Sequence, residues 1–210
     1  MRAEMMSTEH AHGEELRAVR ARVVADEGAL RELQRVARLA APAELALSWE
    51  AGDAVGVVAA LHAATNRDCA AARSAAAGLL VLAGRAGAVR QRLVACGAVE
   101  ALVAAARTQA RDRAVQLTVA AALALLCEAG AAARRRTGDR GGVVAVLAGM
   151  RAHSADAAVL EQGCWSLGAL LEGCPENVER CTAAGGWGTA AVVANEADDA
   201  GVHESREKGK

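Results

Sequence analysis

With 210 residues and a formal net charge of −1, the chain has the length of one large domain or two small ones. Its charge gives no electrostatic reason to expect nucleic acid or an anionic membrane as partner. It has no Phe or Tyr, only two prolines, and six cysteines without a CxxC pair, which argues for helix almost throughout and for reduced thiols rather than a disulfide framework. No apolar run reaches the ~18 residues that span a bilayer, and the opening MRAEMMSTEH lacks the apolar core of a secretory signal. These features set the expectation of a cytoplasmic or nuclear protein.

Residues 1–13 read as a flexible polar N-terminus, whose His10 and His12 are too isolated to hold a metal. Residues 14–51 read as a degenerate leading repeat, with a helical stripe of Leu30, Leu33, Val36 and Leu39, and with Trp49 expected between layers. Three fuller units follow, at 52–96, 97–140 and 141–184. Each offers a first helix, a long second one and a short third one before a glycine turn. In the first unit Val55, Val58 and Leu61 are expected inward, and Thr65-Asn66 is a candidate N-cap for the long helix. In the third, Ser154 or Asp156 is expected to cap the long helix, and Pro175 to open the short one.

The spacing unites these units. Leu79, Leu123 and Leu167 recur at intervals of 44, as do Leu82, Leu126 and Leu170, and Gly97, Gly141 and Gly185. A period in the forties with helical patterning is the signature of a stacked helical array, which grows by repeats rather than by closing one core. A truncated fourth repeat spans 185–204 and a charged tail 205–210; Val202 and Glu204 stand 43 residues after Val159 and Glu161. The ending ADDAGVHESREKGK holds one valine and no larger apolar residue. It is therefore expected to leave the third unit uncovered, as in a fragment of a longer array, and the exposed end is expected to self-associate.

Two segments carry a family likeness. ENVERCTAAGGW resembles the N-x-x-x-x-x-x-x-G-G-I/V segment of armadillo repeats, and LEQGCWSLGALL their Q-E-x-A-x-W-A-L-x-N-L-A segment. The likeness covers about residues 30–204 and is closest to armadillo arrays of the leucine-rich-repeat kinase and protist multi-repeat kind. It implies an all-α fold, a right-handed α-solenoid of three-helix repeats whose long helices line a groove for extended peptides or partner helices. HEAT repeats, with two helices per unit, are the alternative. The peptide-clamping Asn that importin-alpha-like arrays carry four residues after the Trp is Ala169 here, with Leu125 and Val81 in the other units. A receptor for nuclear-localisation signals is not expected.

No catalytic constellation stands out. Ser74, Ser154 and Ser166 lack a G-x-S-x-G frame, and Gly138-Asp139-Arg140-Gly141-Gly142 lacks the Lys-Ser/Thr of a phosphate loop. Those glycines are expected in inter-repeat turns. His62 and His153 are expected at helix ends, and Arg134-Arg135-Arg136 on a solvated turn of a short helix. The expectation is a non-enzyme without cofactor or metal, serving as a scaffold for a protein or peptide partner; a structural spacer or fragment of a longer array is the alternative. With the third spine at 160, 163, 164, 167 and 171, the opposite stripe is Glu161, Trp165, Ala169 and Glu172. One unit earlier it is Leu117, Ala121, Leu125 and Glu128, and two units earlier Arg73, Ala77, Val81 and Arg85. The groove contacts expected from these stripes are Arg73, Leu117, Glu128, Glu161, Trp165 and Glu172.

Overall fold

The computed structural model describes residues 53–64 and 69–186, and among these it contains nine α-helices and no strand. They are α1 (Ala54–Ala64), α2 (Cys69–Ala83), α3 (Gly87–Ala95), α4 (Ala98–Thr108), α5 (Arg113–Cys127), α6 (Ala131–Asp139), α7 (Gly142–Ala152), α8 (Ala157–Leu171) and α9 (Pro175–Ala183). Three successive triplets thus have helices of 11, 15 and 9 residues in that order. The expected leading repeat, the Thr65-Asn66 cap and the fourth unit beyond Gly186 lie outside the described residues.

Local chemistry sets the boundaries. Gly97 and Gly141 take positive φ (89° and 85°) just before α4 and α7, and Gly185 (69°) does so after α9. A side chain there would suffer the steric penalty of left-handed backbone, so each triplet ends where the sequence supplies a glycine. Asp112 and Asp156 cap the long helices: their carboxylates accept from the N–H of Val115 and Val159, both at 3.2 Å. Of the two candidates for the third long helix, Asp156 is the cap. Pro175 occupies the first turn of α9, where its missing N–H costs nothing. Gly138, expected in a turn, lies buried inside α6 instead. A Cβ there would collide with Asn177, so its role is to let α9 approach α6.

The long helices form the middle of the molecule, α5 packing against both α2 and α8. Leu79, Leu123 and Leu167, with Leu82, Leu126 and Leu170, are buried along this line. Every residue of α5 from Val115 to Cys127 is buried. Alanine dominates the contacts, so each helix pair gains little area and the core is a sum of many shallow contacts. Val57, Val58 and Leu61 point inward from α1, whereas Val55, expected inward, is 58% exposed. Helical spacing places Val55 beyond the edge of the buried strip of Ala54, Val57, Val58 and Leu61, nearest to Val58 and farthest from Val57.

Candidate interaction surface

The long helices are joined by polar contacts at both ends. At the N-terminal end, Nε of Arg73 in α2 donates to the capping Asp112 of α5 at 2.6 Å. Arg113 at the start of α5 pairs likewise with the capping Asp156 of α8, through Nε and, at 3.3 Å, through Nη2. The Arg113 guanidinium holds the Asp156 carboxyl below the usual carboxylate range. At the C-terminal end, Arg90 of α3 reaches Glu128 and Arg134 of α6 reaches Glu172, both at 3.4 Å. Arg90 also donates to the carbonyls of Ala83 and Arg85, at 3.1 and 2.7 Å, where α2 ends.

These pairs account for three of the expected groove residues. Arg73, Glu128 and Glu172 are exposed, yet each ties one triplet to the next. Leu117, expected on an open groove, is 6% exposed, and Ala121 and Leu125 beside it are buried too. The reason is position: α5 is flanked by a long helix on each side, and small side chains leave no gap between them. Ala77 and Val81 of α2 are buried too. Among the described residues the middle of the stripe opens only on α8, where Trp165, Gly168 and Ala169 are half-exposed and Glu161 before them is exposed. Trp165 rests against the core with its other side open.

Several contributors are absent from the sequence reading. Asn177, fully buried, donates through Nδ2 to the carbonyls of Leu170 and Arg134 at 2.8 and 3.0 Å, joining α8, α9 and α6. Its place in the ENVERCTAAGGW segment was the available signal. Gln116, also buried, donates to the carbonyls of Ala106 and Gln109 at 2.9 and 3.0 Å, closing the end of α4. Ser166, mid-helix in α8, donates to Gln162 O at 2.8 Å and to Ala120 O of α5 at 2.7 Å. His153 caps the end of α7 and meets Ala110 O at 3.1 Å, as its helix-end position suggested.

Two buried thiols are poorly suited to act as nucleophiles. Burial pushes the Cys127 thiol up to about 12 and the Cys164 thiol to about 11, far from the thiolate a nucleophile needs. Among the described residues no three His, Cys, Asp or Glu side chains come close enough to share a metal ion. A void of about 10 Å³ between α5, α7 and α8, bordered by Gln116, Met150 and Gly163, has room for one water at most. The arginine run is neutralised: Arg134 pairs with Glu172, Arg135 with Glu176 at 3.6 Å and Arg136 with Glu100 at 2.9 Å. Among the described residues no helix is long and apolar enough to cross a membrane.

Compared with known proteins, the chain matches no family model, no curated protein and no solved structure.

Proposed function

We propose that the protein is a non-catalytic scaffold for a protein or peptide partner, built as an armadillo-like right-handed α-solenoid. The repeated triplet of 11, 15 and 9 residues supports this over a two-helix HEAT-like repeat, because a distinct third helix is present in every unit. The observation that carries the binding reading is Trp165. An aromatic stands half-exposed on α8 where α2 and α5 have the buried Ala77 and Ala121. Trp is among the residue types enriched at the energetic hot spots of protein interfaces. The partner therefore engages α8 around Trp165 and Ala169, rather than running along all three units.

A structural spacer is the second reading, favoured by the use of Arg73, Glu128 and Glu172 in ties between triplets. Affinity capture with native protein and with Trp165→Ala separates the two. A binding scaffold retains a partner that, once purified, binds the native chain directly. Its affinity for the variant falls by about 2 kcal/mol or more, roughly thirtyfold. A spacer gives the same captured set with both proteins, and that outcome removes the scaffold reading.

A further inference from the structure

Three positions of the long helix change character at its third copy. Ala77, Leu80 and Val81 of α2 are buried, and so are their counterparts 44 residues on, Ala121, Ala124 and Leu125 of α5. On α8 the same positions are Trp165, Gly168 and Ala169, all half-exposed, and a Cβ on Gly168 would meet nothing within 4 Å. α2 packs against α5 and α5 against α8, whereas among the described residues no long helix follows α8. Two other sides of α8 are occupied: Ser166 donates to Ala120 O of α5, and Gly163 lies against Met150 of α7. Trp165, Gly168 and Ala169 fall on the side away from Gly163 by helical spacing. The open face of α8 thus corresponds to the face that is closed wherever another long helix follows.

The α5–α8 contact gives such a cover its direction. Arg113 at the start of α5 meets the capping Asp156, and Ala120 midway along α5 meets Ser166 midway along α8, so the two helices run the same way. A helix seated likewise on α8 begins beside the first turns of α8. The charge there is reversed. Arg73 of α2 and Arg113 of α5 each pair with the carboxylate that caps the next long helix. The corresponding positions of α8 are Glu161 and Ala157, both exposed, and Glu161 forms no ion pair among the described residues.

A carboxylate in that place repels an aspartate cap of the kind this chain uses. A second copy offers no better group, since the residue before α2 is again an aspartate, Asp68. A basic side chain is attracted to Glu161, and the positive end of a helix dipole adds to the attraction. The relief of the face also differs from that of α5. Trp165 and Gly168, neighbours at i and i+3, make a ridge and a notch where α5 has Ala121 and Ala124. Their complement is a small residue over the indole and a larger apolar one over the glycine.

We propose that the partner contributes an α-helix, seated parallel to α8 on Trp165, Gly168 and Ala169, with a basic side chain of its first turn against Glu161. This rests on the scaffold reading above and names the chemistry of its partner: a helix with an apolar side and a basic start, not an extended peptide.

Side-chain-bridged helical peptides of the length of α8, 15 residues, test it on the full-length chain. They carry alanines along one side and a leucine for the Gly168 notch, and differ only in a first turn that is either lysine-rich or aspartate-rich. Fluorescence anisotropy of the labelled peptides is the readout. The basic peptide is expected to bind about fivefold more tightly than the acidic one, and the preference to shrink in high salt. Glu161→Arg is expected to invert the preference, and Glu179→Arg, on α9, to leave it unchanged. Gly168→Leu fills the notch and is expected to weaken both peptides. A preference indifferent to Glu161→Arg overturns the proposal, as does Gly168→Leu without effect or the failure of both peptides to bind. Binding that appears only below the concentration at which the chain dissociates, followed by sedimentation, assigns the face to a second copy and overturns it too. If the peptides fail while a captured partner still depends on Trp165, the helix is wrong and the scaffold reading stands. If capture is the same with Trp165→Ala, the scaffold reading itself falls.

Discussion

The Asn177 amide donates to two backbone carbonyls from different triplets, and its own oxygen accepts from Arg180 Nη1 at 2.7 Å. Replacing Asn177 by Ala strands these groups in a buried site, where each unsatisfied polar group costs about 1–3 kcal/mol. Urea denaturation of Asn177→Ala should show a loss of that order, while Asn177→Asp keeps the acceptor but removes the donor and should recover little. Gly138→Ala attacks the same contact from the other side, because its Cβ takes the space of the Asn177 amide. The apolar counterpart is Leu123, fully buried in the middle of α5. Leu123→Ala should lower stability by about 2–5 kcal/mol in the same assay, the range for a Leu truncation in a site that cannot collapse. An unchanged denaturation midpoint would mean that the recurrence at 79, 123 and 167 does not mark the core.

At the scale of elements, α5 and α8 begin at aspartates that serve two purposes, capping their own helix and pairing with an arginine of the long helix before. Asp156 has a depressed pKa in the folded chain, so its contribution is complete above the unfolded carboxyl value of about 3.9 and is lost as pH falls through the lower folded value. Asp156→Asn retains an N-cap but not the charge. The melting temperature of the native chain should exceed that of the variant near neutral pH, and the gap should close in acid below the folded pKa. The pair is largely exposed, so the gap should be small and should shrink in high salt. Much of this level was legible in the sequence. The interval of 44 between leucines already implied helices of matching register, and the glycines at 97, 141 and 185 marked the joints. Arg90 and Arg134, with Glu128 and Glu172, show the same interval, yet only the fold reveals that each arginine meets the following glutamate. Leu117 was misread as surface because its burial depends on helices α2 and α8, which are distant in sequence. Trp165 was expected among the groove contacts, and periodicity alone does not separate a groove anchor from a packing residue.

Among the described residues, successive triplets pack along their long helices, and the contact between α5 and α8 includes the hydrogen bond from Ser166 to Ala120 O. Two substitutions there should behave differently. Ser166→Ala removes one hydroxyl, but the Ala120 carbonyl lies inside α5 and retains its helical partner, so no acceptor is orphaned. The cost should be about 0.5–1.5 kcal/mol, with a single unfolding transition. Ser166→Leu places three extra carbons where the hydroxyl meets the backbone of α5, and α8 has to move away from it. A compact single core would spread that strain and lose stability as one body. In the solenoid proposed above, stabilised by nearest neighbours, the damage stays at the junction and uncouples the third triplet from the first two. Calorimetry of Ser166→Leu should therefore show a broadened or split transition. Hydrogen exchange should rise across α7, α8 and α9 well before it rises in α2 and α5. One sharp transition at a lower temperature, with exchange rising equally in all nine helices, would show that the described triplets fold as a single cooperative unit.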